Sequence, residues 1–167
     1  KIPDLKANSK IAHTDTEKAN TLNEQYTKVF TKHTQLPPNL ATRHTQHPLS
    51  MITTTEEEVL EHLKSLKPHK APGPDNIHPR FLQQTAQDIT PILTAFFNRT
   101  LTEGKIPTIW KHANITPKYK KGPKSDPSNY RPISLTCTAS KIIERIIKQH
   151  LTIHLETNNL LSNAQHG

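Results

Sequence analysis

At 167 residues the chain is long enough for one domain with a core, but 32% apolar residues, 14 prolines and a mean hydropathy of −0.72 make that core thin. The single cysteine, Cys137, excludes an internal disulfide and fits a reducing intracellular setting. No apolar run approaches the ~18 residues that cross a bilayer, Lys1 to Lys10 lacks the apolar centre of a signal peptide, and the net charge of +8 points to an anionic partner.

In chain order, Lys1 to Ala12 shows no hydrophobic period and is expected to be loosely held. Thr14 and Glu17 then have the spacing of a capping box, and Ala19, Leu22, Tyr26, Val29 and Phe30 follow helical rhythm, so a first helix is predicted to about Lys32. Residues 1–33 thus form an N-terminal helical segment. Residues 34–52, with three prolines and many Thr, Gln and His, read as a flexible linker and the main internal boundary; His44 and His47 lie in it.

Thr53, Thr54 and Thr55 ahead of Glu56, Glu57 and Glu58 give three overlapping capping options and place acids at the positive end of a helix dipole. Val59, Leu60, Leu63 and Leu66 form the stripe of this second helix, and Pro68 stops it. The three glutamates point about 100° apart around the helix and do not converge on a metal. Lys70 to Ile77 is a rigid elbow: Pro72 and Pro74 fix φ, and Gly73 or Asn76 can take left-handed values. Pro79 opens a third helix carrying Phe81, Leu82, Ala86 and Ile89. Thr90 and Pro91 cap a fourth, with Ile92, Leu93, Phe96, Phe97 and Leu101 on its packing face and Gly104 as terminator.

Two short strands, Ile115 to Tyr119 and Tyr130 to Leu135, follow, joined by a loop rich in turn formers. From Gly104 to Arg131 there are seven Lys/Arg and one acid, so 28 residues carry +6 of the chain's +8. Such clustering is the footprint of a phosphate-binding surface, whether of nucleic acid, a nucleoside triphosphate or an anionic membrane. The longest helix starts at Thr138 or Ser140 and runs to about Glu156 on a stripe of Ile142, Ile143, Ile146, Ile147, Leu151 and Leu155, with Lys141, Arg145 and Lys148 toward solvent. His150 and His154 are four apart, but no third zinc ligand presents itself. The chain contains no GxSxG, P-loop or Asp-Asp pair, so its residues alone argue a mainly helical protein presenting one basic antiparallel β-hairpin, and no catalysis.

Five ordered motifs add to that reading: KAPGPDNI at Lys70, GKIPTIWKHANITPKYKKG, DPSNYRPISLT, KIIERII and the terminal HLETNNLLSNAQHG. Together they resemble, in order and spacing, the opening of the reverse transcriptase of LINE-type, jockey-like non-LTR retrotransposons. The likeness covers about Thr53 to Gly167, and Thr14 to Thr31 resembles the helix that precedes it. It implies that residues 53–167 are the fingers region of a right-hand polymerase, truncated before the palm. The parent would be an RNA-directed DNA polymerase, intracellular, in nucleus and cytoplasm, working on an RNA template, a DNA primer and incoming dNTPs.

The resemblance further implies which cations do what. Lys120 or Lys121, at the end of the first strand, and Arg131 on the second would contact the triphosphate of the nucleotide, since fixed positive charge assists phosphoryl transfer and Arg offers phosphate a bidentate fork. Lys118 and Lys124, with Lys111 and Lys105, would lie on nucleic-acid backbone. Mg²⁺ is expected for the full-length parent, held by palm carboxylates of the same polypeptide beyond this chain, and no cofactor for the fragment itself. Two positions depart from the family pattern: Lys118, usually apolar, and Asn76, usually Gly. The alternative function is a non-catalytic nucleic-acid-binding or structural remnant of such an element.

Overall fold

A computed structural model describes residues 1–7, 10–30 and 48–161, and most of the predicted linker, with His44 and His47, lies outside them. By its contacts the chain divides into two compact units, one of residues 1–41 and 115–134, the other of 42–114 and 135–167. About half the described chain is helical, and the strands form two small two-stranded sheets.

In the first unit, the segment expected to be loose forms an antiparallel pair, β1 (Leu5–Ala7) and β2 (Lys10–Ala12), with Leu5 opposite Ala12. Two alternations are too few to register as a period, yet they suffice to send Leu5 and Ala12 into one small core with Leu22, Tyr26 and Tyr130. The predicted capping box is present at α1 (Asp15–Thr27): Glu17 N–H donates to Thr14 Oγ1 at 3.2 Å, and Thr14 N–H donates to Glu17 Oε2 at 2.9 Å. Lys18, on the same helix, is buried and donates from Nζ to Asp4 Oδ1 at 3.1 Å and to Ile2 O at 3.3 Å, tying α1 to the N-terminal segment.

The helix ends at Thr27, earlier than expected. The Val29 and Phe30 N–H groups donate only three residues back, the Thr27 hydroxyl competes for the Glu24 carbonyl, and Val29 and Phe30 stay exposed.

The second unit contains α2 (Glu56–Lys64), α3 (Pro79–Gln84), α4 (Ala86–Glu103), a 3-10 turn at Thr108–Lys111 and α5 (Thr138–Thr157). Of the three threonine caps, Thr55 is used; Thr54 instead donates its hydroxyl to Glu58 Oε2 at 2.6 Å and exchanges two 2.9 Å hydrogen bonds with the Asn98 side chain of α4. Gln83 Nε2 donates to Lys64 O and Leu66 O, satisfying the end of α2, which stops four residues before Pro68.

The expected break at Thr90–Pro91 falls instead at Thr85, and Pro91 lies inside α4. The carbonyl deprived of a donor by Pro91 belongs to Gln87, an exposed residue open to water, so the proline is tolerated. With the helix starting earlier, its buried face turns: Ala86, Thr90, Thr94, Phe97 and Thr100 are inside, whereas Ile92 is 71% exposed and Phe96 lies at the edge. Trp110 covers that edge, in edge-to-face contact with Phe96 at 5.5 Å and Phe97 at 6.1 Å. Gly104 ends α4 in the left-handed conformation, as predicted.

The core joins Val59, Leu63 and Leu66 to Leu82, Phe97, Ile142, Ile143 and Ile146. The stripe of α5 is thus buried only in its first half; Leu151 and Ile153 are exposed. His150 Nε2 faces Glu58 Oε1 at 3.4 Å, and the buried Cys137 thiol donates to Ile109 O, with burial raising its pKa. The elbow behaves as expected at Asn76, whose φ is +56°. Gly73 serves a different purpose: a Cβ there would stand 2.5 Å from the Cys137 backbone nitrogen, so only glycine lets the elbow press against the start of α5.

Candidate nucleic-acid interface

The basic hairpin consists of β3 (Asn114–Tyr119) and β4 (Tyr130–Leu135), as the sequence predicted to within one residue. Lys120 N–H donates to Asn129 O at 2.8 Å, and the Tyr119 and Tyr130 rings meet at 5.7 Å. In the register these two contacts fix, Lys118 stands directly opposite Arg131. Side chains alternate across a strand, so Ile115, Pro117, Tyr119 and Tyr130 share one face and Thr116, Lys118, Arg131 and Ile133 the other. Tyr130 is buried in the core with Leu5, Leu22 and Tyr26, whereas Lys118 and Arg131 are exposed. The strand's inner face is therefore unaltered by Lys118, which points to water.

The loop between the strands is built, and its parts are visible in the hydrogen bonds. Tyr119 donates its hydroxyl to Gly122 O, Tyr130 donates to Lys124 O at 2.7 Å, and Asn129 Nδ2 donates to Pro123 O at 2.9 Å. Asp126 accepts from Ser128 N–H at 2.8 Å at a one-turn 3-10 helix, Pro127–Asn129, and its hydrogen bonds to Ser128 lower its carboxyl pKa. Gly122 has φ +86°, and a Cβ there would meet the Asn129 side chain at 2.7 Å. Outside the hairpin, Lys6 N–H donates to Ser125 O at 2.7 Å, so β1 braces the loop from below. Burial is the main reason the Tyr130 phenol pKa rises, with the neighbouring Tyr119 adding to it.

On this frame Lys118, Lys120, Lys121, Lys124 and Arg131 are all exposed, and among the described residues none of them is in an ion pair. Lys118 and Arg131 share the outer face, and by strand alternation Lys120 continues it. Lys121 lies on the loop. Lys124 Nζ sits 5.6 Å from the Tyr119 ring centroid, which holds its stem against the hairpin. Lys105 and Lys111 are exposed as well and belong to the other compact unit. Sequence reasoning missed the two tyrosines that fix the loop; their symmetric positions, the last residue of one strand and the first of the next, were the available signal.

No family model matches the chain. It is 35% identical over 112 residues to a probable RNA-directed DNA polymerase from transposon BS of Drosophila melanogaster, a stretch that covers 66% of this chain and 12% of that protein. It is 33% identical over 121 residues, 72% of the chain and 13% of the relative, to the RNA-directed DNA polymerase from mobile element jockey of the same fly. A Pol polyprotein from type-1 retrotransposable element R1 of Bradysia coprophila is 31% identical over 97 residues, 57% of the chain and 10% of the relative. The match thus spans only 10–13% of these relatives' length. Among the described residues, no helix is long and apolar enough to cross a membrane. By sequence, the chain is homologous to a short segment of the RNA-directed DNA polymerases of jockey-like and other non-LTR retrotransposons.

Proposed function

We propose that the chain is the fingers segment of a retrotransposon reverse transcriptase and that its β3–β4 hairpin grips phosphate. The observation that carries this reading is the pair Lys118 and Arg131, two cations opposite each other on an exposed face, neither of them in an ion pair among the described residues. Like charges directly opposite across a strand pair are destabilising, so the arrangement makes physical sense when an anion stands between them. The outer face, with Lys118, Lys120 and Arg131, is the surface for the phosphates of template or incoming nucleotide. This places Lys118 beside Arg131, where the family resemblance had divided them between template and nucleotide.

Among the described residues no three His, Cys, Asp or Glu side chains converge where a metal ion could be held. The described residues therefore do not fit Mg²⁺. The chain's own residues bind and orient phosphate, and among the described residues no carboxylates converge to activate it. The test is twofold. The chain should bind single-stranded RNA or DNA with little sequence preference and with log affinity falling as log salt rises at a slope of about −2 or steeper, the three outer-face hairpin cations alone giving about −2. In a primer-extension assay with Mg²⁺ it should add no nucleotide. Affinity independent of salt, or incorporation by the pure chain, overturns the reading.

A further inference from the structure

The second compact unit holds another group of cations, brought together by the fold from distant parts of the chain. The Lys70–Ile77 elbow presses Gly73 against Cys137, and Lys70 and Thr138, the first residue of α5, line one pocket. This pocket, of about 400 Å³, is lined by Lys67 and Lys70 and by Lys141 and Arg145 of α5. Leu66 and Pro79, both buried, form part of its wall. Among the described residues no acidic side chain lines it. The nearest acid along α5, Glu144, accepts from the Ser140 hydroxyl at 2.9 Å, and among the described residues none of the four cations is in an ion pair.

Stability does not account for this placement. Lys141 and Arg145 are four residues apart on one helix, where like charges are unfavourable. Lys141 also sits in the opening turns of α5, which has no acidic residue in its first turn and no side-chain cap, so the cation adds to an uncompensated positive helix end. Four cations, a helix start and a shaped, partly apolar wall converge on one concavity.

We propose that this pocket binds the phosphodiester backbone of a nucleic-acid strand, as a phosphate site separate from the hairpin. The inference rests on the proposed function, and the pocket's chemistry supports a sugar–phosphate strand: cations for the phosphates, and the Leu66–Pro79 wall for the sugar. None of the four cations was given a binding role by the motifs, because they are scattered over 79 residues of sequence, from Lys67 to Arg145, and meet only in the fold.

The test is an amide NMR titration of the full chain with a short single-stranded oligoribonucleotide and, separately, with inorganic tripolyphosphate. The oligonucleotide should move the Ala71 and Thr138 amides as well as those of Lys121 and Gly122. In the Lys141→Gln/Arg145→Gln variant the Ala71 and Thr138 shifts should vanish, the hairpin shifts should remain, and the salt slope should flatten by about 1.4 for two lost contacts to a single strand. Lys67→Gln/Lys70→Gln should do the same, from outside any helix. If the hairpin amides respond and Ala71 and Thr138 do not, the pocket assignment is overturned and the hairpin reading stands; if none responds, both fail. A response at the pocket to tripolyphosphate alone overturns the assignment to a strand.

Discussion

Lys118 and Arg131 lie directly opposite each other on the exposed face of the β3–β4 hairpin, while the next pair toward the loop, Tyr119 and Tyr130, occupies the other face, where Tyr130 fastens the hairpin to its core. One strand register therefore sets both the anchor and the charge. This coupling gives a prediction with two readouts of opposite sign. Lys118→Glu converts a like-charged cross-strand pair into an opposite-charged one, which should stabilise the first unit by about 0.2–1 kcal/mol. The same change should weaken nucleic-acid binding and flatten its salt slope by about 1 or more. Chemical denaturation and a salt-dependent binding series measure the two effects. If stability and affinity fell together, Lys118 would be a structural residue of the hairpin.

Gly73 is required by contact, with Cys137 and Thr136 backbone atoms within 2.6 Å of where its Cβ would be. Neither neighbour is a flexible side-chain end that can swing aside. Gly73→Ala should cost about 1–3 kcal/mol, the scale of overpacking a tight interior, and should disturb the start of α5. Gly104 offers the control: a Cβ there meets nothing within 4 Å, so Gly104→Ala carries only the strain of its φ of +63°. Urea midpoints of the two variants compare the causes. Equal losses would mean that conformation, and not the close approach, fixes Gly73.

The contrast between these glycines shows what the sequence could and could not reveal. Patterns confined to a few neighbouring residues were legible: the Thr14–Glu17 capping box, the left-handed Asn76, the Gly104 terminator and both hairpin strands all appear where local chemistry put them. What failed depended on distant partners. Leu5 and Ala12 become strand residues because Leu22 and Tyr26 give them a core. The α4 face was misjudged because Thr90, Thr94 and Thr100 look polar in sequence, yet Thr90 satisfies its hydroxyl on the Ala86 carbonyl at 2.6 Å and can be buried. The candidate site divides in the same way: the hairpin cations were legible in the sequence, but the opposition of Lys118 and Arg131, and the assignment of Lys105 and Lys111 to a different compact unit, needed the fold.

Asn98 holds both backbone groups of Thr54, 44 residues away, through two 2.9 Å hydrogen bonds. Its removal leaves the Thr54 N–H and C=O without that partner at a residue that is itself buried. Asn98→Ala should destabilise the second unit by about 1–3 kcal/mol and speed amide exchange at Thr54 more than within α5. Asn98→Asp keeps the acceptor and loses the donor, so it should fall between. Unchanged protection at Thr54 would show that the α2–α4 contact is held by packing alone.

Acid should loosen the first unit. Asp4 is held below the ordinary carboxylate pKa by its hydrogen bonds to Lys18 and then His13, Glu17 by the Thr14 and His13 backbone N–H groups, and Asp126 by Ser128. A carboxylate whose folded pKa is depressed binds its proton more readily in the unfolded chain, so its contribution is fully present above the unfolded value and is lost as pH falls through the folded one. The loss should begin as pH drops below about 4. Thermal melts from pH 7 to pH 2, followed by Tyr130 fluorescence or NMR, should show it, and Asp4→Asn should blunt the dependence. A melt that strengthened toward acid would contradict the sign.

The last prediction concerns Arg131 in a full-length polymerase that carries this segment, and it depends on the proposed function. Arg131 is exposed, lies on the outer face and is free of any carboxylate among the described residues, so its guanidinium is available to make two parallel hydrogen bonds to a phosphate. If that phosphate belongs to the incoming nucleotide, the charge assists as the triphosphate reacts. Arg131→Ala should then lower kcat/KM for nucleotides by roughly 10- to 1000-fold, the scale of losing one charge-stabilising contact in the transition state, with a much smaller change in template affinity. Arg131→Lys should recover only part of the loss, because a lysine keeps the charge but not the fork. Single-nucleotide incorporation kinetics and template binding, measured on the same variants, separate the roles. Loss of template affinity with unchanged nucleotide kinetics would make the Lys118–Arg131 face a clamp on the strand, and the nucleotide assignment of Lys120, Lys121 and Arg131 would fall with it.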